Sequence, residues 1–524
     1  MPNNQQPKTF FQRYQFPVLL ALLAIGWFTA LEVQSLHGEE PRRGLVALEM
    51  ALSGNYLQPT IQGEPYYNKP PLFAWIMAGF FKLFGSSDTI VRLPSLLAYI
   101  AWGYVHYRIT RAYLNKKTAL YGLLFFYTAV HYLFYGTVLS GELDLLYGFV
   151  VYLQGITIYH FYQEKRWLPL YLISYLLVSV GFLLKGLPSI AFQGITLFAL
   201  GIVGLPNDPA QSPGPRSVRR TCERPGKQAN LTLPKRLKKT LTFWFNWQHL
   251  TGALLGLLPI AIYFYTYHEA YGTGHRYLFN LLEEASQKSA FESGPGRIIK
   301  QLAGFPIQYF ADHLPWSLLL PYGIYKGWHR TALEHPFLRY CVLFFAANIL
   351  LYWFSPGTRL RYVYGLTPFF LTPLAYWCAR FGPVRPGIIW GLCIALAVGR
   401  IGYNVLLQPL HEEAKYKLAV YDAISTDALK FAEGGPIYSC CGPDYTYVNP
   451  SVAGFTLLRD TFTSPQEIPY LVHLNLLRER GEITPFVTAA DQPGVYITRD
   501  SSLGEELGVY EVQHNITVRL FRVE

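Results

Sequence analysis

Blocks of about 17–25 consecutive apolar residues, separated by polar or basic breaks, recur along most of this chain, and a helix of that length crosses a hydrocarbon core roughly 30 Å thick. A soluble fold has no use for so many. The blocks fall near residues 16–36, 90–110, 119–139, 145–163, 168–184, 187–204, 250–268, 302–325, 338–354, 361–379 and 386–406. Only 15% of the 524 residues are charged and 51% are hydrophobic, whereas soluble domains carry about a quarter charged. The expectation is an all-α polytopic membrane protein with about 11–13 transmembrane helices. The segment Pro70 to Phe84 (PPLFAWIMAGFFKLF) is apolar but short of a full crossing, so it is expected to lie in the interface or to re-enter.

Charge sets the orientation. The formal net charge is +11, and much of the excess sits in one connection, at Arg216, Arg219, Arg220, Arg224, Lys227, Lys235, Arg236, Lys238 and Lys239. Such clusters mark cytoplasmic loops. With the Pro70–Phe84 segment left uncrossed, this loop (205–248) and the basic turns Arg111–Lys117, Gln163–Trp167, Lys326–Arg339 and Arg380–Arg385 all fall on the side of the N-terminus. A nucleic-acid-binding reading of the basic balance is set aside, because the positive charge follows the span boundaries. Lys8 and Arg13 precede a first span too long for a usual cleaved signal, which is the pattern of an uncleaved anchor. The six cysteines, Cys222, Cys341, Cys378, Cys393, Cys440 and Cys441, have no metal-ligand spacing and form no disulfide framework.

The same parity puts the loop Leu36–Lys69, the turn Ser140–Asp144, the loop Tyr267–Lys300 and everything after residue 407 on the outward face. Residues 1–406 are thus expected to form a transmembrane domain, with an outward loop and interfacial helices over 37–84. Residues 407–524 are more polar, and short apolar runs such as Gly494–Thr498 and Ile516–Val523 alternate with turn-rich stretches. They read as a small soluble α/β domain.

The first outward loop concentrates charge at a membrane boundary. It reads Gly38-Glu39-Glu40-Pro41-Arg42-Arg43, then Glu49-Met50, Ser53-Gly54-Asn55 and Tyr66-Tyr67-Asn68-Lys69-Pro70-Pro71. A carboxylate pair followed by a guanidinium and later an ammonium is what a reaction between a sugar phosphate and a hydroxyl needs: a base for the acceptor proton and cations for the departing phosphate. Solvated ion pairs at a helix end are the competing reading of the same residues.

From Glu39 to Pro94 the elements Glu39-Glu40-Pro41-Arg42-Arg43, Glu49-Met50, Ser53-Gly54-Asn55, Lys69-Pro70-Pro71 and Arg92-Leu93-Pro94 keep the order and spacing of a known pattern. It runs Asp-Glu-x-Arg-Tyr, Glu-Met, Ser-Gly-Asp, Lys-Pro-Pro and Arg-Leu-Pro. The stretch resembles the first periplasmic loop of the aminoarabinose lipid A transferases and of the dolichyl-phosphate-mannose-protein mannosyltransferases, membrane glycosyltransferases of the GT-C superfamily. Where the family has its catalytic Asp, this chain has Glu39. The resemblance continues at Ser140-Gly141-Glu142-Leu143-Asp144, where Asp144 is the better match to a second outward acid, with Glu142 as a substitute. It extends to Leu184-Lys185-Gly186 and to Ser355-Pro356-Gly357-Thr358-Arg359-Leu360-Arg361-Tyr362, where Thr358 replaces a usual Lys and Arg359 is the candidate for the missing charge.

What the resemblance implies is inverting transfer of a sugar from a polyprenyl-phosphate donor to a lipid or protein hydroxyl, on the periplasmic face of a bacterial inner membrane. Glu39 would be the base, with Glu40 and Asp144 as the further catalytic acids, and Arg42 and Asp144 would orient the acceptor and the base. Lys69, Lys185, Arg359, Arg361 and Tyr362 would hold the phosphate. Glu283 and Glu284 lie where the aminoarabinose branch has acids before a metal-binding His. That His is absent here, so a divalent metal stays an open requirement. Beside the donor, acceptor and surrounding lipids, no nucleic-acid partner is expected. Two rivals remain. A transporter or flippase of lipid-linked sugars would bury charge in mid-span and show repeated halves. A non-catalytic envelope protein would explain the Asp-to-Glu change. Asp312-His313-Leu314-Pro315-Trp316, inside an expected span, reads as packing.

Overall fold

The computed structural model describes residues 10–33, 36, 39–134, 138, 140–205, 241–286, 295–355, 358–407, 418–440, 470–487, 489–498, 503–512 and 516–524. The helices run in the order α1 Phe10–Val33, α2 Glu40–Ser53, α3 Leu72–Phe84, α4 Asp88–Tyr113, α5 Lys116–Thr128, α6 Val130–Phe134, α7 Asp144–Gln163, α8 Trp167–Lys185, α9 Pro188–Val203 and α10 Trp247–Tyr271. They continue with α11 Gly274–Ser286, α12 Pro295–Asp312, α13 Leu319–Tyr325, α14 His329–Glu334, α15 Pro336–Trp353, α16 Thr367–Phe381, α17 Pro386–Gly402, α18 Leu418–Ala432 and α19 Tyr470–Arg480. A hairpin, β1 Thr60–Ile61 and β2 Glu64–Pro65, follows α2. The basic run at 216–239 lies outside the described residues.

Two compact units are built from this chain, one of Met1–Leu97, Leu133–Glu142 and Pro386–Glu524, the other of Ala98–Tyr132 and Leu143–Arg385. In the first, α1 packs along α17, and Asn404 donates its side-chain amide to the Gly26 carbonyl (2.8 Å) to lock the two together. Helix α2 starts at a proline suited to a first turn and stops at Gly54, whose φ of 71° only glycine adopts without strain. Its neighbour α3 is the expected short segment: 13 residues rise only about 20 Å, less than the hydrocarbon core.

Beyond residue 436 the chain forms a sheet with strands β3 Ile437–Cys440, β4 Phe486–Val487, β5 Gly494–Thr498, β6 Glu505–Val512 and β7 Ile516–Val523, in the order β4-β3-β5-β7-β6. Strand β3 pairs in parallel with β4 and β5, and β7 pairs antiparallel with β5 and β6. The two apolar runs at 494–498 and 516–523 are adjacent strands. Cys440, Tyr496 and Phe521 form a buried cluster against it, and α18 and α19 pack on each other beside it.

In the second unit α8 and α10 make the most extensive helix pair. Gly252 and Gly256, one turn apart on α10, allow it: a Cβ at Gly256 would lie 2.4 Å from the Cβ of Tyr175, and one at Gly252 would lie 2.5 Å from that of Tyr171. Small residues at this spacing let backbones approach where no hydrophobic gain drives helices together in lipid. The other side of α10 shows Leu250, Leu254, Leu258 and Ile262 at the surface.

Among the described residues, four helices are long and apolar enough to cross a membrane, Trp167–Lys185, Leu241–Tyr271, Pro336–Trp353 and Pro386–Leu407, with shorter apolar helices at Tyr14–Thr29, Leu72–Phe84 and Pro188–Val203. Several of the expected spans are interrupted. The block at 119–139 breaks where Ala129 turns extended between α5 and α6. The block at 302–325 is divided by a short 3-10 helix, Trp316–Leu318, after a cis Leu314–Pro315 bond. The block at 361–379 opens as a 3-10 helix over Leu360–Leu366 and continues as α-helix from Thr367, with Pro368 in the first turn of α16. Hydropathy reads length and polarity, and it is blind to these backbone breaks.

Candidate active site

The paired carboxylates at the head of α2 have different surroundings. Glu40 is buried, its Oε1 accepting from Arg92 Nε (2.9 Å) and from the Gly141 N–H (2.5 Å), and its Oε2 from Arg92 Nη2 (2.9 Å). Arg92 spends a further donor on the Leu31 carbonyl (3.1 Å). Gly141 can approach because it lacks a side chain: a Cβ there would sit 2.5 Å from Val91 Cγ1. Ser95 closes the arrangement by donating to the Glu142 carbonyl (2.6 Å). The Arg-Leu-Pro and Ser-Gly elements are therefore the clamp that fixes Glu40. A carboxylate bound on both oxygens has little freedom to collect a proton.

Glu39 is instead about a third exposed and pairs with Arg42 at i+3 and with Arg43 (3.5 Å) at i+4. Both arginines are largely covered. Arg43 donates to the Tyr66 hydroxyl (3.1 Å), and the Arg42 guanidinium lies 5.7 Å from the Tyr66 ring centroid and 6.0 Å from that of Tyr470. One accessible carboxylate beside two guanidiniums oriented by aromatic rings can take a proton and hold a neighbouring anion.

The remaining loop elements are scaffold. Glu49 is buried and accepts from Thr60 Oγ1 (2.8 Å) and from the N–H groups of Gln62 (2.5 Å) and Gly63 (3.2 Å), which pins the β1–β2 turn to α2. Burial pushes its carboxyl above the usual carboxylate range, against the pull of those three bonds. Asn55 caps the turn after Gly54 by accepting from the N–H groups of Leu57 (3.2 Å) and Gln58 (3.1 Å). Lys69 is half-buried and donates to the Asn68 carbonyl (3.0 Å) just ahead of α3.

In the second unit, three sequence-expected residues converge. Asp144, buried in the first turn of α7, is bonded by Lys185 Nζ, and Arg361 Nε lies 3.6 Å from its other oxygen. Lys185 is the last residue of α8. The helix stops there because Gly186 takes a φ of 88° and closes back on the Phe182 carbonyl (2.7 Å). The ammonium also lies 4.3 Å from the Tyr362 ring centroid and 4.9 Å from that of Tyr147. Two cations on one carboxylate leave a net charge of +1 (+2 − 1), so the cluster still attracts an anion, and the aromatic rings hold the ammonium in place. Arg359 is exposed.

Behind Arg361 the same 3-10 helix carries Tyr364, which shares a 2.5 Å hydrogen bond with His131 Nε2. His131 Nδ1 lies 3.2 Å from Asp312 Oδ2. With Tyr132, Tyr309, His313, Leu360 and Thr367 these line a cleft with room for about one water molecule. Sequence reasoning missed His131 and Tyr364, because some 180 to 230 residues of chain separate the partners and neither sits in a motif. Trp316 packs as expected, stacked on Phe125 with ring centroids 4.1 Å apart. Glu283 is half-buried, and the Glu284 side chain lies outside the described residues. Among the described residues no three His, Cys, Asp or Glu side chains converge as a metal site.

With this geometry in view, residues 68–204 match the family described as dolichyl-phosphate-mannose-protein mannosyltransferase. The fold is that of ArnT from Cupriavidus metallidurans bound to undecaprenyl phosphate, with a TM-score of 0.64 at 14% identity over 96% of this chain and 97% of that one. The chain resembles a GT-C glycosyltransferase. Two relatives carry the likeness in sequence. The chain is 33% identical over 120 residues to undecaprenyl phosphate-alpha-4-amino-4-deoxy-L-arabinose arabinosyl transferase 2 of Pseudomonas fluorescens, and 24% identical over 200 residues to transferase 1 of Proteus mirabilis. These matches cover 22% and 36% of this chain but only 20% and 35% of those relatives. The family match at 68–204 contains Lys69, Arg92, Asp144 and Lys185, while Glu39, Arg42 and Arg361 fall outside it.

Proposed function

We propose that this chain transfers a sugar from a polyprenyl-phosphate donor to a hydroxyl of a lipid or protein acceptor, on the periplasmic face of a bacterial inner membrane. The observation that carries the reading is the Asp144-centred pair of cations. Lys185 and Arg361 are brought together from two distant parts of the chain, aligned by a carboxylate and aromatic rings, with net positive charge left for a phosphate. Tyr362 assists them. Glu39 is the general base, Arg42 orients it, and Glu40 holds the head of α2 in place. The acceptor O–H gives its proton to Glu39 as its oxygen bonds the anomeric carbon. The bond from that carbon to the phosphate oxygen breaks, and its electron pair leaves on the polyprenyl phosphate. The positive-inside pattern of the connections supports the outward placement, and the relatives named for undecaprenyl phosphate support the donor class.

The test is release of polyprenyl phosphate from labelled polyprenyl-phosphate sugars in the presence of envelope extract. Lys185→Ala and Arg361→Ala are expected to raise the donor KM at least tenfold, since a charge-assisted contact to phosphate is worth about 1.5–3 kcal/mol. A chelator titration in the same assay reads whether the transfer needs a divalent cation. Wild-type protein that releases no polyprenyl phosphate from any donor in the pool would overturn the reading.

A further inference from the structure

The C-terminal helix α19 lies against the segment that carries Glu39 and Arg42, touching α2 at two points and its neighbours, the β1–β2 turn and the start of α4, at two more. At its first residue, the Tyr470 ring centroid is 6.0 Å from the Arg42 guanidinium. One turn on, Leu474 packs where α2 has Gly44, close enough that a Cβ at that position would meet Leu474 Cδ2 at 3.1 Å. Between them, His473 shares a hydrogen bond with the Gln62 amide (3.2 Å), which also reaches the Thr484 carbonyl (3.4 Å). Near its end, Arg478 bonds Asp88 (2.7 Å) and Ser86 (3.1 Å). Asp88 opens α4, and one turn along the same helix Arg92 grips Glu40.

These contacts put an aromatic ring at Arg42, an apolar knob at Gly44, a polar latch at the β1–β2 turn and an ion pair at the helix that anchors Glu40. We infer that α19 is a strut through which the C-terminal domain positions the Glu39–Arg42 head, so that this domain is a working part of the catalytic machinery. Tyr470, Leu474 and Arg478 are its positioning residues. A reacting group misplaced by about 1 Å can cost 10²-fold in rate, and one long lever held at four points sets such a position.

The inference rests on the proposed transfer for its kinetic readout, and it also has a readout that does not. In the full chain, Arg478→Asp is expected to lower kcat at least tenfold with the donor KM changed less than threefold. It should also speed amide hydrogen exchange over residues 40–50. The reversed pair Asp88→Arg with Arg478→Asp should restore both. A fall in kcat matched by an equal loss of donor affinity, or exchange over 40–50 left at the wild-type rate in Arg478→Asp, would overturn the strut. If the wild type transfers no sugar, the exchange measurement alone decides the strut, and the failure belongs to the proposed function.

Discussion

Glu39 and Glu40 are chemically identical neighbours, and what separates their roles is a partner 52 residues away. Arg92 meets Glu40 in a fully buried bidentate pair. Breaking such a pair from one side leaves an uncompensated buried charge and costs about 3–5 kcal/mol. Arg92→Leu is therefore expected to lower the thermal unfolding midpoint in detergent sharply. Glu39→Gln, about a third exposed and free of that pair, should leave the midpoint within a degree or two of wild type. Equal destabilisation by the two variants would contradict the division of labour. Sequence spacing supplied both carboxylates as candidates, but the motif could not say which was clamped, because the Arg-Leu-Pro and Ser-Gly elements that do the clamping read as parts of a family pattern rather than as partners of Glu40. Glu49, quoted only as part of the pattern, proves to be a turn anchor through its three hydrogen bonds.

At the scale of elements, glycines and burial set the geometry. Gly256→Leu would drive a branched side chain into Tyr175 where α10 and α8 touch; overpacking of this kind costs about 1–3 kcal/mol, and lowered thermal stability of the purified protein would report it. Helix α19 adds a pH dependence. Burial holds the His473 imidazole neutral and lowers its pKa from 6.5 to about 4. Between those two values the unfolded ring binds a proton that the folded ring refuses, so stability falls as pH drops from 6.5 to 4 and is flat below. The full effect is about 3 kcal/mol, read as lower amide-exchange protection factors, relative to the intrinsic rate at each pH, in residues 470–480 at pH 4.5 than at pH 7.5. His473→Asn should flatten the profile. The strands at 494–498 and 516–523 were legible from alternation and composition. The breaks at Ala129, Pro315 and the 3-10 helix Leu360–Leu366 were not, since apolar runs keep the same hydropathy whether or not the backbone turns within them.

For the whole molecule, composition alone pointed to a membrane protein, and the ordered motifs of the first outward loop pointed to a resemblance to GT-C glycosyltransferases. Among the described residues, four helices are long and apolar enough to cross a membrane, and the fold is shared with ArnT. What the sequence held back was convergence: Asp144, Lys185 and Arg361 are separated by as many as 217 residues (361 − 144) and meet only because a glycine ends α8 at Lys185 and a 3-10 helix presents Arg361. The central claim is that a chain with this cation cluster and this carboxylate transfers sugar. Its most direct test is sugar transfer in proteoliposomes from a mixed pool of polyprenyl-phosphate sugars to envelope extract, wild type beside Glu39→Gln. The account predicts transfer by the wild type and a loss of about 10²–10⁴-fold in Glu39→Gln with donor binding retained. Labelled donor crossing the bilayer with no transfer would contradict it in favour of a flippase.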